Sequence, residues 1–309
     1  MTATPMSAVE LCHAMRHSVP FDPAHLSRML GVDEQRGLLE VQGFTPWAAI
    51  AAELRPGDAL AAAVHTRMPT VGESVAENAA GPDGNPAVVH VHALTLVTPE
   101  GDLRRLSRTG DRELFSLAVG GHGIFGPFYS VTLRIDSLAR AVERSAQPER
   151  IQLHPGRHTS RPLELLLPPE RLEGFIADTD ARCNDWRVPL RSVELRRTAA
   201  ESDSFLRWAC REFIELKLNF SICEALGERV RATQLRRELI DAAIAAGGRF
   251  LIASTREATR EQTDACYPQL RAFLAHKRRF DPNERLTNDW YRHQRRLVAG
   301  ERCEIRWSH

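Results

Sequence analysis

The stretch that decides the fold is "PTVGESVAENAAGPDG", residues 69–84. It combines glycine, proline and small side chains, and almost no large apolar residue interrupts it. Gly72, Ser74 and Asn78 are spaced so that the N–H groups of a loop could surround an anion. An ordinary surface loop is the alternative interpretation. On the first interpretation, residues 71–74 form a loop whose N–H groups face a cleft.

A second glycine-rich stretch is "GGHGIFG", residues 120–126, which contains the letters of a G-x-G-x-x-G motif. A Rossmann nucleotide site needs a strand before this motif and a helix after it. Here "DRELFSLAV" predicts a helix before the motif, and "FGPFYSVTLRI" alternates like a strand after it. The reversed order excludes a Rossmann site. A helix end followed by a tight turn is the simplest interpretation, and we expect this turn to lie beside the same cleft as Asn78.

The rest of the chain alternates strand and helix patterns in two halves. "AVVHVHALTLVTPEGDLRRLSR" predicts a β-hairpin around its "PEG" turn. Beyond a polar, proline-containing connection near residue 140, "LELLL", "LRSVELRR" and "EFIELKLNFSIC" predict strands, and "LGERVRATQLRRELIDAAIAAGG" predicts a long helix. Helices on one face of an antiparallel sheet make an α+β fold.

The bulk composition limits the classes of function. The 309 residues carry 41 Lys and Arg against 40 Asp and Glu, a net charge of +1, so no general basic field favours nucleic acid. The six cysteines form no C-x-x-C pair or zinc-like spacing, which predicts reduced thiols, no metal site and a cytoplasmic location. The N-terminus lacks a secretory apolar region, and no apolar run approaches the ~20 residues of a membrane span.

Three stretches together resemble the FAD-binding domain of the vanillyl-alcohol oxidase, or PCMH-type, family of oxidoreductases. They are "PTVGESVAENAAG", "HALTLVTPEGDLRRLSR" and "ELFSLAVGGHGIFGPFYSVTLRI", and the resemblance covers about residues 36–135. In that family the first usually reads T-V-G-G-S-x-x-x-N-A-x-G and the last V-G-G-x-G-x-F-G-V-I. Near the other end, "FLAHKRRFDPNERLTNDWYRH" resembles the segment in which the chain returns to the FAD domain.

The resemblance implies a partial FAD domain over residues 1–140, a cap or substrate domain over 141–275, and a returning segment over 276–309. Two features depart from the family pattern. The chain begins about where a small subdomain with a G-G-x-H-S pyrophosphate loop is expected, so that subdomain is expected to be missing. "AMRHSVPFD" offers only His17, as a remnant of a covalent flavin anchor or as a surface histidine. Glu73 stands where the family has its second glycine, so Glu73→Gly is expected to strengthen flavin binding.

The resemblance also implies the site and its chemistry. The expected reaction is oxidation of a CH–OH group of a small alcohol, sugar or polyol by hydride transfer to flavin N5; the alternative is a degenerate homologue that binds without turnover. Substrate-side candidates are Arg196, Asn219 and His293, with Tyr291 and Lys217 as the groups that handle the proton. The residues expected to hold FAD are Pro69, Thr70, Val71, Gly72, Ser74, Asn78, Gly81, Gly120, Gly121, Gly123, Phe125, Gly126 and Asn288.

Overall fold

The computed structural model describes residues 2–54, 69–81, 83–143, 149–153, 162–222 and 225–300. Its α-helices are α1 (Ala8–Arg16), α2 (Trp47–Leu54), α3 (Val71–Glu77), α4 (Arg112–Ala118), α5 (Ile135–Glu143), α6 (Leu172–Trp186), α7 (Leu226–Ala245), α8 (Arg260–Cys266), α9 (Leu270–Phe280) and α10 (Asp289–Ala299). Its strands are β1 (Met29–Asp33), β2 (Leu38–Gln42), β3 (Val91–Val97), β4 (Leu103–Ser107), β5 (Phe128–Arg134), β6 (Glu149–Gln152), β7 (Leu163–Leu167), β8 (Leu190–Thr198), β9 (Phe213–Phe220) and β10 (Arg249–Phe250).

The chain divides into two compact units. The first comprises Met1–Ala146, Glu201–Arg207 and Arg271–Arg292. Its antiparallel sheet has the order β1-β2-β5-β3-β4. Leu94 pairs with Val131 and with Leu106, and because side chains alternate along each strand these apolar residues share one face of the sheet. This face supplies the buried core of the unit.

The second unit comprises Gln147–Ala200, Trp208–Leu270 and His293–His309. Its antiparallel sheet has the order β10-β7-β9-β8-β6. Along β9, Ile214, Leu216 and Leu218 point to one face, while Glu215 and Lys217 point to the other. Helix α7 contacts β7 and α6, so helices cover the sheet. The predicted α+β class is therefore confirmed.

The last segment of the first unit, Arg271–Arg292, is joined to α1 by hydrogen bonds that a buried ion pair organises. Lys277 and Asp281 form an ion pair whose two side chains are inaccessible to solvent. The Asp281 carboxylate also accepts the backbone N–H groups of Arg285 (3.0 Å) and Leu286 (2.9 Å). Arg285 then donates to the carbonyl of Met15 at the end of α1, at 2.5 Å. Residues 270 positions apart in the chain are thus joined by hydrogen bonds.

Three local expectations are corrected by the structure. The stretch "TREQTDACYPQLRAFLAHKRR" has the pattern of one helix, but it forms two helices, since Pro268 cannot continue α8. The polar connection expected near residue 140 contains α5 and the edge strand β6. The loop expected at residues 71–74 is the first part of α3. A possible short strand between α2 and residue 69 lies outside the described residues.

Candidate functional site

Helix α3 forms because its first residues complete a capping box. The Thr70 hydroxyl accepts the N–H of Glu73 at 3.3 Å, and the Glu73 carboxylate accepts the N–H of Thr70 at 3.2 Å. This reciprocal pair satisfies two donors that a helix start otherwise leaves free. The Thr-x-x-Glu spacing was present in the sequence, and its helix-starting chemistry outweighs the loop character of the neighbouring glycine and alanines.

The N–H groups at the start of α3 are engaged by the protein itself. Val71 donates to the Thr45 carbonyl at 3.1 Å, and Gly72 donates to the Gly43 carbonyl at 2.6 Å. A Cβ at Gly72 would lie 2.5 Å from that same carbonyl oxygen, so glycine is required by this close approach. The start of α3 therefore does not fit the diphosphate of FAD, because its donors are already used.

The second glycine-rich stretch packs against the end of α3. Gly120 donates to the Val75 carbonyl at 3.0 Å, and His122 donates to the Ala76 carbonyl at 2.7 Å. A Cβ at Gly120 would lie 3.3 Å from Cβ of Asn78. The predicted adjacency of the 120–126 turn and Asn78 is therefore confirmed.

Packing requires two of the four glycines in this turn, a third is closely packed, and the fourth is open. A Cβ at Gly120 would press on Asn78, one at Gly121 would lie 2.3 Å from the Leu117 carbonyl, and one at Gly126 would lie 2.1 Å from the Val97 carbonyl. A Cβ at Gly123 would meet no atom within 4 Å, and this residue is exposed. The turn thus presents open backbone at Gly123, where a flat ligand could approach closely.

Left-handed backbone conformations accumulate where the two stretches meet. Asn78 (φ 48°) and His122 (φ 53°) adopt them without being glycine, beside Gly120 (φ 69°) and Gly123 (φ 72°). Positive φ is uncommon outside glycine, although Asn and His adopt it more often than most other residues. The His122 ring stacks on Trp290 with centroids 4.0 Å apart, which holds the turn in place. Such accumulations of rarely populated backbone are typical of functional sites.

Asn288 and Asn78 hold this region rather than presenting free amides. Asn288 donates to the His122 carbonyl at 2.8 Å, and its side-chain oxygen accepts the N–H of Tyr291 at 2.8 Å in the first turn of α10. Asn78 accepts the N–H of Val88 at 3.0 Å, and its side-chain nitrogen lies 3.4 Å from the carboxylate of Glu201. Asn288 therefore fixes the backbone directly before Gly123, and Asn78 joins the end of α3 to Val88 and Glu201.

The remaining residues expected at the cofactor have other partners in the structure. The Ser74 hydroxyl accepts the indole N–H of Trp47 at 2.8 Å. The Pro69 carbonyl accepts the N–H of Trp47 at 3.3 Å, and Gly81 is joined to Asn85 in a tight loop. The Phe125 ring is buried. These residues build the scaffold around the turn, and their contact with a cofactor stays a prediction.

The substrate-side candidates of the second unit form ion pairs on one sheet face. Lys217 contacts Glu194 at 3.3 Å, with 36% of its side chain exposed. Arg196 contacts Glu215 at 2.5 Å, and Asn219, also on this face, is buried. Elsewhere in the unit, burial and the nearby Arg256 lower the pKa of His293 to about 4, so its ring is neutral at pH 7.

Tyr291 lies in the first unit and is 1% exposed. Its hydroxyl donates to the Glu284 carboxylate at 2.7 Å, and the Lys277 ammonium lies 5.7 Å from the ring centroid. Burial lowers the pKa of Lys277 more strongly than the Asp281 carboxylate raises it. Tyr291 is therefore part of a buried polar cluster, and its role in proton handling stays a prediction. His17, at the end of α1, is exposed and lies against the ring of His13.

Sequence reasoning missed His122, Trp290 and Glu201. His122 stood inside the quoted "GGHGIFG", so attention to the non-glycine residue of that turn could have found it. Glu201 reaches Asn78 across 123 positions, and no local pattern signals such a pair. Within the described ranges, no group of three or more His, Cys, Asp or Glu side chains is arranged to hold a metal ion. Nor does any helix in those ranges have the length and apolar character needed to cross a bilayer.

Comparison with known proteins identifies the fold. Wild-type BBE-like 1 from Physcomitrella patens has a similar structure, with a TM-score of 0.62 at 9% sequence identity over 92% of this chain and 89% of that chain. A point variant of the same protein gives a TM-score of 0.62 at 8% identity over the same shares. No protein-family model matches the sequence, and no curated protein matches it. The chain thus shares the fold of BBE-like proteins.

Proposed function

We propose that this chain is an FAD-linked oxidoreductase that oxidises a CH–OH group of a small alcohol, sugar or polyol. The single observation that carries the proposal is the left-handed backbone at His122–Gly123, exposed at Gly123 and held by Asn288. The fold shared with BBE-like 1 supports it. So does the resemblance of the two glycine-rich stretches to those of the vanillyl-alcohol oxidase family.

The described residues fit a flavin at this turn and do not fit its diphosphate at the start of α3. When bound, FAD would supply the two-electron acceptor for the oxidation. Asn288 would hold the turn through the His122 carbonyl, and the His122–Trp290 stack would keep the backbone of Gly123 open to the ring. In this proposal the diphosphate is held elsewhere than by Val71 and Gly72.

Lys217 and Tyr291 are proposed to handle the substrate proton, and they differ in access. Lys217 is 36% exposed and forms an ion pair with Glu194. Tyr291 is 1% exposed, and its hydroxyl already donates to Glu284. A general acid or base must come within hydrogen-bond reach of the proton that it transfers. Of the two side chains, Lys217 is the more accessible to a substrate.

Titration with FAD, followed by flavin fluorescence, tests the proposal. We expect wild type to bind FAD in the micromolar range, about −8 kcal/mol. Gly123→Asn keeps the left-handed backbone, which Asn tolerates, and places a side chain on the open surface. We expect this variant to bind at least ~10-fold more weakly, because the ring can no longer approach the backbone.

Gly247→Asn is the matched control, because Gly247 also has a left-handed backbone (φ 78°) with no close neighbour, in the second unit. Its FAD affinity should equal that of wild type. Equal affinities for wild type and Gly123→Asn would place the flavin elsewhere. A separate assay tests the oxidation itself. Wild type saturated with FAD should reduce an added dye in the presence of a polyol, and Lys217→Met should slow this turnover.

A second candidate, a homologue that binds a partner without redox turnover, is favoured by one observation. The N–H donors of Val71, Gly72 and Gly120 and the amide of Asn78 all have protein partners. A flat FAD titration up to millimolar concentration, with correctly folded protein, would support this candidate and reject the first.

A further inference from the structure

A serine, a histidine and an aspartate form a linear array in the first unit. The Ser137 hydroxyl lies 2.7 Å from Nδ1 of His90, within hydrogen-bond distance. Nε2 of His90 lies 3.7 Å from Oδ2 of Asp83. These residues come from α5, from the 3-10 turn Ala87–His90 and from the loop before that turn. Asp83 and His90 lie in neighbouring segments, and the fold brings Ser137, 47 positions after His90, into contact with them.

The charges around His90 favour one arrangement of protons. Burial alone would raise the pKa of the Asp83 carboxyl, but the contacts with His90 and Asn85 lower it below its ordinary value. Asp83 is thus ionised at pH 7. An ionised carboxylate beside Nε2 favours the tautomer in which that nitrogen carries the proton. Nδ1 is then free to accept the proton of the Ser137 hydroxyl.

The position of Ser137 suits a nucleophile. Its hydroxyl lies in the first turn of the nine-residue helix α5, and the side chain is half-buried, whereas His90 is 6% exposed. Backbone N–H groups at a helix start favour negative charge that develops nearby. The guanidinium of Arg134 donates to the carbonyl of Val89, the residue before His90, at 3.4 Å. It places a positive charge near this histidine.

We infer that Ser137, His90 and Asp83 form a second, cofactor-independent site that hydrolyses short-chain carboxylic esters. A serine beside a histidine that in turn faces a carboxylate is an arrangement that supports acyl transfer on several unrelated folds. Ser137 is the nucleophile, His90 is the general base and Asp83 is a positioning residue. The inference does not depend on FAD.

The proposed reaction has two balanced steps. The Ser137 oxygen bonds to the acyl carbon while its proton moves to Nδ1 of His90. The C–O bond to the alcohol then breaks, and the alcohol leaves with that proton. In the second step His90 takes a proton from water, whose oxygen attacks the acyl–serine ester. The carboxylic acid is released, and the proton returns to the Ser137 oxygen.

A fluorophosphonate probe and p-nitrophenyl acetate test the site on FAD-free, full-length protein. We expect the probe to attach to Ser137, as peptide mapping of labelled wild type would show. Ser137→Ala should lose the label and the hydrolysis above background. His90→Gln should slow both by at least ~100-fold, the usual contribution of a general base. Asp83→Asn should lower kcat with KM unchanged, whereas simple loosening of the loop would change KM as well.

Ser202→Ala is the matched control, because Ser202 is an exposed serine of the same unit. This variant should be labelled and should hydrolyse the ester as wild type does. Thermal unfolding of each variant checks that it is folded. The mapping on wild type needs no variant, so a misfolded His90→Gln does not leave the question open. Folded wild type that is unlabelled at Ser137, or hydrolysis that survives in Ser137→Ala, would overturn the inference.

Discussion

The carboxylate of Glu73 accepts both the backbone N–H and the hydroxyl of Thr70, at 3.2 and 2.8 Å. These bonds turn the side chain back along the chain, toward the start of α3. The vanillyl-alcohol oxidase pattern that this stretch resembles has glycine at this position, and glycine has no side chain to make such a bond. Glu73 therefore stabilises the helix start, and its carboxylate already accepts two hydrogen bonds from Thr70.

We predict that Glu73→Gly lowers the free energy of unfolding by about 1–2 kcal/mol, since it removes the capping box and puts glycine in the first turn of a helix. Chemical denaturation measures this change. Glu73→Gln is the control, because a Gln at this position can keep both capping bonds. FAD affinity should change by less than about twofold in either variant. Tighter FAD binding by Glu73→Gly would instead mean that the Glu73 carboxylate lies near the FAD diphosphate and repels it.

At the scale of elements, the turn of residues 120–126 combines two kinds of glycine. Gly126 is surrounded by the carbonyl of Val97 and the side chain of Leu96, whereas Gly123 has open space beside it. Both have positive φ, 146° and 72°. A substitution at Gly126 therefore adds a steric clash to the cost of its backbone conformation, whereas a substitution at Gly123 carries a backbone cost alone.

Gly126→Ala should lower the free energy of unfolding by at least about 3 kcal/mol, because the new methyl group would overlap a backbone oxygen. Gly123→Ala should cost only about 1 kcal/mol, the penalty of a left-handed conformation for a residue with a Cβ. Thermal or chemical unfolding of the two variants measures the difference. Equal losses would show that the turn rearranges to accommodate the methyl group that Gly126→Ala introduces.

The elements themselves were largely predictable from local patterns. The alternation in "FYSVTLR" predicted β5, and the alternation in "EFIELKLNFSIC" predicted β9, because one face of each strand is apolar. The start of α3 was missed because glycine and alanine were weighed more heavily than the capping box. The break at Pro268 was missed because the apolar pattern continues on both sides of it.

At the scale of the whole molecule, the chain returns to the first unit twice, through Glu201–Arg207 and Arg271–Arg292. The resemblance predicted a returning segment over residues 276–309, of which residues 293–309 fall in the second unit; the return through residues 201–207 was not predicted. Arg108 contacts Asp203 at 2.8 Å, a pair 95 positions apart. Such contacts join segments whose local patterns are independent of each other. For the same reason the neighbours of Asn78 and the array around His90 could not be read from the sequence.

The unfolding of the whole protein should depend on pH through His293. Burial, with nearby Arg256 and Arg296, lowers the pKa of this group to about 4, while Glu257 opposes the shift. The unfolded chain, with an ordinary value near 6.5, then binds more protons than the folded one between these two values. The contribution of neutral His293 to the free energy of unfolding is fully present above pH ~6.5. It is lost as the pH falls from there through about 4.

We therefore predict that the free energy of unfolding of wild type falls as the pH is lowered from 7 to 4. After solvent screening, His293 accounts for a loss on the order of 1 kcal/mol, which also lowers the unfolding midpoint. His293→Gln, which does not titrate, should show a shallower fall over the same interval. His25→Gln is the control, because His25 is exposed and its loss should leave the slope unchanged. Thermal scans at several pH values in one buffer system measure both. A wild-type slope retained in His293→Gln would mean that other groups, such as Asp281, control the acid response.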